Sequence, residues 1–266
     1  MRRQARAISK FNKVPGITLV FWVIKILSTT VGETGADFLS VRVGLGAVTT
    51  ALAMAALLVI ALIAQFRVRT YTPWIYWLTV VLVSIVGTQI TDFLTDNLEI
   101  SLYFSTLAFA ALLALTFLVW WSVERTLSIH SIVTMRRELF YWAAILCTFA
   151  LGTAAGDLAT EALGLGFQLG VVVCGALIAL VAAAYVSGVD AVLTFWLAYI
   201  LTRPLGASLG DLLSQSPKYG GVGLGALYTS VLFLTVIVAL VAWLTFAVNR
   251  ATGARETMST DIAGAN

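Results

Sequence analysis

The apolar positions of this chain gather into eight runs, at roughly 15–38, 43–65, 73–94, 99–121, 138–160, 164–187, 190–213 and 221–248. A bilayer-spanning helix needs about 20 mostly apolar residues, so each run predicts one membrane crossing. The connections are short, which makes sequential helices antiparallel neighbours. The exception is the segment from Ser122 to Arg137, which reads as a loop or surface helix. Pro15 and Pro73 fall at the expected first turns of their helices, where a missing N–H costs nothing. The predicted fold class is all-α, a polytopic membrane helical bundle over residues 14–248, preceded by a basic arm at 1–13. Residues 249–266 form a polar tail expected to be disordered.

Polar positions inside the runs are distributed unevenly. The even-numbered runs are rich in Ala, Leu and Val, and their centres carry no charge. Charge at membrane depth is confined to the odd ones, as Lys25, Glu33, Asp37, Asp92, Asp157, Arg203 and Asp211. Ionisable groups in hydrocarbon are costly and face a bundle interior or a wet cavity. Helices 1, 3, 5 and 7 are therefore expected to form an inner layer shielded by 2, 4, 6 and 8.

The odd runs share a motif. Trp22, Gly32 and Asp37 recur as Trp77, Gly87 and Asp92, as Trp142, Gly152 and Asp157, and as Trp196, Gly206 and Asp211. An aromatic residue precedes each Trp (Phe21, Tyr76, Tyr141, Phe195), and a small residue follows each Gly four positions on (Ala36, Thr91, Gly156, Gly210). The chain is thus four two-helix repeats, at about 14–66, 71–121, 136–187 and 190–248. Because each copy contributes two spans, the repeats are parallel, related by an axis along the membrane normal. A pseudo-fourfold ring and a two-plus-two arrangement both satisfy this pattern.

Each motif member has a plain structural reading. The Gly and the small residue make a small-xxx-small face for close helix packing; unwound backbone around an ion is the alternative, most suited to Gly206 after Pro204. The Trp residues read as interface anchors, with an aromatic gate as the sharper possibility. Each Asp lies about 22 Å beyond its Trp along an ideal helix, at the far end of the span, where it either caps a helix or lines a site. Counting back from each Asp in fours gives one helical stripe per repeat. The stripes read Lys25, Thr29, Glu33, Asp37, then Val80, Ser84, Thr88, Asp92, then Ile145, Phe149, Thr153, Asp157, then Tyr199, Arg203, Ala207, Asp211. Five carboxylates and two cations leave the stripes a formal −3, with Lys25 and Arg203 expected to pair with Glu33, Asp211 or their neighbours. Symmetric packing does not need such unequal copies, whereas a single asymmetric site does.

Composition agrees with this picture. The chain has 266 residues, 60% of them hydrophobic and 11% charged, against about 25% charged in soluble domains. Cys147 and Cys174 lie in apolar runs without metal spacing and read as core residues. The net charge of +3 is no nucleic-acid signal, since the basic residues sit in short loops. Arg2, Arg3, Arg6, Lys10, Lys13, Arg67, Arg69, Arg125, Arg136, Arg137, Arg250 and Arg255 share one side, and Arg42 and Lys218 the other. By the positive-inside rule both termini are expected to be cytoplasmic. The first run contains Lys25 and belongs to a repeat, so it reads as a retained span and not a cleaved signal.

Four tandem two-span repeats, each with a marked tryptophan, resemble a family of bacterial integral membrane proteins built on a repeat of unknown function. The resemblance covers about Lys13 to Val248. Lys13-Val14-Pro15, Lys25-Ile26-Leu27 and Gly32-Glu33-Thr34 carry it in the first copy, and Thr202-Arg203-Pro204-Leu205-Gly206-Ala207 in the fourth. It implies a multi-pass protein of the bacterial inner membrane and assigns no activity.

The leading functional expectation is a transporter or channel for a small solute, foremost a cation, with a divalent metal and proton coupling as variants. Glu33, Asp37, Lys25, Asp92, Asp157, Arg203, Asp211, Thr29 and Thr88 are the candidate solute- or ion-binding residues, and Glu33 and Asp37 the candidate metal ligands. Carboxylates with Ser, Thr and Gln89 oxygens suit hard cations or protons. This reading predicts a polar cavity inside the odd helices, faced by Glu33. The competing expectation is a non-transporting scaffold with a dry centre, whose 4–5 loop, with Arg125, His130, Arg136 and Arg137, binds a partner. An intramembrane enzyme ranks third, because His130 is the sole histidine and no nucleophile–base spacing exists. No cofactor is implied, the expected partners are the lipid bilayer and a small solute, and the sequence does not fix the oligomeric state.

Overall fold

The computed structural model describes residues 12–39 and 46–264. The side chains of Asp37, Ala47 and residues 251–266 lie outside that description, as do Arg2, Arg3, Arg6, Lys10 and Arg42 entirely. Eight long helices make up the fold. They are α1 (Leu19–Asp37), α2 (Ala47–Arg67), α3 (Pro73–Asp92), α4 (Leu102–Glu124), α5 (Met135–Asp157), α6 (Gly166–Val186), α7 (Ala191–Ser214) and α8 (Ala226–Gly264). Each contains a stretch long and apolar enough to cross a membrane, and no strand occurs among the described residues.

Local chemistry sets the helix starts. The side chains of Thr18, Ser101, Thr134 and Asp190 each accept a backbone N–H from the first turn of α1, α4, α5 and α7, the usual N-cap device. Pro73 opens α3 as its first residue. Pro15 does not open α1, contrary to expectation, because the capping Thr18 delays the helix and residues 12–18 run non-helically before it. The 4–5 connection is a short loop with one 3-10 turn, Ile129–Ser131. At the other end of the chain, α8 continues to Gly264 where a disordered tail was expected. Residues 249–264 contain no proline and several good helix formers, so nothing local stops the winding.

The odd helices form the interior. Half to two thirds of each odd span is buried, against at most 22% of any even span. Helix α1 packs on α3, α3 on α5, α5 on α7 and α7 back on α1, so the four odd helices close a ring. The two-plus-two alternative is excluded by that closure. The even helices are arranged less obviously. Each docks on the odd helix of the following repeat, α2 on α3, α4 on α5 and α6 on α7, and α8 completes the cycle on α1. The packed unit is therefore offset by one helix from the repeat in the sequence.

Glycine explains how closely the ring can draw together. A Cβ on Gly32 would stand 1.8 Å from Ser84 Oγ, and one on Gly206 would stand 1.8 Å from Thr29 Oγ1. On Gly87 it would meet Phe149 Cβ at 2.7 Å, and on Gly152 Arg203 Cγ at 2.3 Å. Each motif glycine thus receives the residue eight positions before the next repeat's Asp, in cyclic order. This is helix packing, and α7 passes Pro204 and Gly206 without unwinding.

Candidate functional site

The stripe predicted from the sequence lines the axis of the ring. Its layers can be followed from the Trp end to the Asp end of the bundle. Sixteen residues before the Asp positions stand Phe21, Tyr76, Tyr141 and Phe195, each at most 5% exposed. Each ring touches the tryptophan of the next repeat: Phe21 with Trp77 at 5.6 Å, Tyr76 with Trp142 at 5.6 Å, Tyr141 with Trp196 at 6.3 Å, and Phe195 with Trp22 at 5.7 Å. Eight aromatic side chains therefore close this end. Trp77, Trp142 and Trp196 are buried inside this layer, so they are not the lipid-facing anchors expected of them. The neighbouring aromatic residue supplies the reason, since it points at the axis and draws the next tryptophan against it.

Hydrogen bonds hold two of these indoles. Trp196 Nε1 donates to the Leu127 carbonyl at 3.0 Å, tying the 4–5 loop to α7, and Trp77 Nε1 donates to the Tyr71 hydroxyl at 3.2 Å. Burial raises the Tyr71 phenol above its ordinary value, so that hydroxyl stays protonated. Within the layer itself, the Tyr76 and Tyr141 hydroxyls are 2.6 Å apart.

One turn further in stand Lys25, Val80, Ile145 and Tyr199, all buried. Lys25 has no carboxylate partner, contrary to the pairing expected for it. Its Nζ lies 3.9 Å from the centroid of Phe149 and 4.2 Å from that of Tyr199, and it makes no hydrogen bond. Aromatic faces attract cations, yet they leave the ammonium protons unbonded.

The next layer is Thr29, Ser84, Phe149 and Arg203, all fully buried. Arg203 is the hub of the molecule. From α7 it donates to the Thr29 carbonyl of α1 at 2.8 Å and to the Phe149 carbonyl of α5 at 3.4 Å. It also reaches the Thr153 hydroxyl of α5 at 2.6 Å, the Thr88 hydroxyl of α3, and Glu33 Oε2 of α1 at 2.9 Å. One guanidinium thus bonds to all three other odd helices, using the planar donor fork that distinguishes Arg from Lys. Glu33, Thr88, Thr153 and Ala207 form the layer above it, and Thr88 also donates to Glu33 at 3.5 Å.

The Asp end carries the remaining carboxylates. Asp92 and Asp157 are the last residues of α3 and α5, which continue there as π-helical turns, Phe93–Asn97 and Leu158–Ala162. Such turns are frequent at functional sites. Asp157 lies within electrostatic reach of Glu33, Asp92, Asp211 and Glu161, which gathers the acidic groups of all four repeats at one end. Asp37 falls at the equivalent position of α1, and its side chain lies outside the described residues. No cluster of three or more His, Cys, Asp or Glu able to hold a metal occurs among the described residues. That statement does not cover the candidate pair Glu33 and Asp37, since the Asp37 side chain lies outside the described residues; Glu33 itself is bonded by Arg203.

The structure brings together Lys25, Thr29, Glu33, Thr88, Asp92, Asp157, Arg203 and Asp211 as a polar column along the axis of the ring. A cleft of about 470 Å³ lies off the axis, between α3 and α8, with apolar walls that include Trp74, Trp77, Ile237 and Val241. Sequence reasoning missed Tyr76 and Tyr141 as members of the column and left Thr153 out of the candidate binding residues. Thr153 was on the stripe, and continuing the count one step past Lys25 reaches both tyrosines. It also missed Glu138, buried at the Trp end, which accepts from Lys13 at 2.6 Å and from Gln65 at 3.0 Å. Across the 4–5 connection, Arg136 and Arg137 of the first turn of α5 each bond Glu124, the last residue of α4, at 2.6 Å, so these basic residues are partly neutralised.

These features define a multi-pass membrane protein built from four cyclically interlocked two-helix units around a charged axis. The chain belongs to the family defined by a repeat of unknown function, DUF347, which matches it four times, at 20–71, 75–126, 140–188 and 194–249. No curated protein and no solved structure matches the chain.

Proposed function

We propose that this protein is a carrier for a small cation, gated by the Glu33–Arg203 ion pair. The observation that supports the reading is the asymmetry of the axis. Four equivalent copies would pack without charge, yet copy one supplies Glu33 and Lys25 and copy four supplies Arg203, all buried. Buried ion pairs give little net stability compared with apolar residues of similar size, and intramembrane ionisable groups mark ion or substrate pathways by default. A cation arriving at the acidic end meets Asp92, Asp157 and Asp211 and then competes with the guanidinium for Glu33. Displaced, Arg203 retains the Thr29 carbonyl and the Thr153 hydroxyl as partners. The aromatic closure at the Trp end suits alternating access and not an open channel. On this reading the protein sits in a bacterial inner membrane with the Trp end and both termini facing the cytoplasm, an orientation supported by the excess of Lys and Arg on that side.

The scaffold reading also has an observation behind it, namely that every layer between Phe21 and Ala207 is packed. Counterflow in proteoliposomes separates the two. Vesicles loaded with sodium, potassium, methylammonium or manganese should take up the matching labelled ion, and Glu33→Gln should abolish uptake without loss of folding. A carrier reading does not survive if the whole panel gives the uptake of protein-free vesicles.

A further inference from the structure

The tyrosines of the Trp end raise a question that packing does not answer. The residue preceding the motif Trp is Phe in repeats one and four, and Tyr in two and three. Phenylalanine fills this layer equally well, so the hydroxyls of Tyr76 and Tyr141 are not needed to close it. They meet each other at 2.6 Å at full burial. One turn deeper, the Tyr199 hydroxyl and Lys25 Nζ are both buried, and neither has a hydrogen-bond partner. Unpaired polar groups at this depth cost free energy and give no packing return. Two adjacent orphans with the Lys25 amine over the Tyr199 ring therefore point to a ligand that both can handle.

The groups on either side form a row. Tyr141 is within electrostatic reach of Tyr199 on one side and of Glu138 on the other, and Tyr199 is within reach of Tyr76. Glu138 is 1% exposed and sits in the first turn of α5, held by Lys13 and Gln65. The row thus runs from the buried Lys13–Glu138 pair at the Trp end, through Tyr141, Tyr76 and Tyr199, to Lys25. Arg203 is the remaining charged group beside Lys25. Phe149 of α5, whose ring the amine overlies, and Val80 and Ile145, the buried residues of its layer on α3 and α5, carry no titratable atom.

We propose that this row is a proton path through the aromatic closure to the Lys25 amine, which passes the proton on toward the carboxylates of the Asp end. A phenol accepts a proton on its oxygen lone pair while giving up its own. Each hop therefore breaks one O–H bond and forms the next, and the last forms an N–H bond on the lone pair of Lys25 in its neutral amine form, which becomes the ammonium. A single water molecule has the bonding capacity to bridge Tyr199 and Lys25. Arriving charge at Lys25 repels Arg203 one layer away and loosens its hold on Glu33. In that use the path rests on the carrier reading, but proton movement can be measured without any substrate.

The test uses the full chain in vesicles containing a pH-sensitive dye, with a potassium diffusion potential driving protons inward. Wild-type protein should give a proton influx several-fold above protein-free vesicles. Tyr199→Phe removes a hydroxyl that bonds to nothing, so it should fold normally and return the influx to background. Tyr141→Phe should do the same, while Tyr103→Phe, 60% exposed on α4, should leave the influx unchanged. The proposal is overturned if wild-type influx equals background, or if Tyr199→Phe conducts like the wild type. Cation counterflow is read separately. Proton influx lost in Tyr199→Phe with no counterflow in any protein leaves the path standing and removes the carrier. Counterflow with an unaffected proton influx does the reverse.

Discussion

Replacing Arg203 by Met keeps the length of the apolar stem and deletes every donor of the hub. Five hydrogen bonds disappear, to the carbonyls of Thr29 and Phe149, the hydroxyls of Thr88 and Thr153, and the Glu33 carboxylate. The decisive loss is the last. Glu33 is 6% exposed, and without Arg203 it keeps the Thr88 hydroxyl at 3.5 Å as a hydrogen-bond partner. Removing one member of a buried ion pair costs about 3–5 kcal/mol, because the other charge stays buried uncompensated. At about 2–4 °C per kcal/mol for a chain of this size class, Arg203→Met should lower the melting temperature by roughly 10 °C. The double change Arg203→Met with Glu33→Gln removes both charges and should regain about half of that loss, on the order of 2 kcal/mol of coupling. Cys147 is a free, buried thiol, so a thiol-reactive fluorophore reports unfolding in detergent directly. A single variant that melts with the wild type, or a double variant no more stable than the single, would refute the assignment of Arg203 as the hub of the axis.

Gly32→Ala should destabilise by about 1–3 kcal/mol, the usual cost of overpacking, since its Cβ meets both the side chain and the backbone of Ser84. Adding Ser84→Gly should recover part of this, read by the same melting assay. Lys13→Ala should expose the Trp end, because Lys13 Nζ holds both Glu138 and the Phe66 carbonyl. Faster labelling of a cysteine placed at Val14, which is 4% exposed in the intact protein, would show it, with Lys13→Ala plus Glu138→Gln labelling more slowly than the single variant. Trp196→Phe deletes the bond to Leu127 and should increase proteolysis in the 4–5 loop while costing about 1 kcal/mol of stability.

Much of the architecture was legible because hydrocarbon leaves few choices. Eight apolar runs gave eight helices, and charge confined to alternate runs identified the inner ring. The stripe counted back from Asp37, Asp92, Asp157 and Asp211 marked the axis, since a period of four stays on one helical face. Partner choice was not legible. A small-xxx-small face says that another backbone comes close, but nothing in Gly152 names Arg203 as the residue that fills its hollow. The offset of the even helices was hidden for the same reason. Trp22 and its copies were misplaced because a tryptophan near a helix end looks alike whether it faces headgroups or the next repeat. The preceding aromatic, itself on the stripe, was the available signal. Lys25 was expected to find a carboxylate, and the fold instead gave Glu33 to Arg203 and left the amine between two rings. That outcome depends on which cation reaches across the ring, a matter of side-chain geometry in three dimensions.

The central claim is that a mobile cation exchanges with Arg203 at Glu33. Counterflow of labelled methylammonium, sodium or potassium into proteoliposomes addresses it most directly, comparing wild type with Glu33→Gln after both are shown to melt as folded proteins. The account predicts saturable uptake of at least one ion by the wild type and background uptake by the variant. Equal uptake by the two, or background uptake by both across the whole panel, would contradict it.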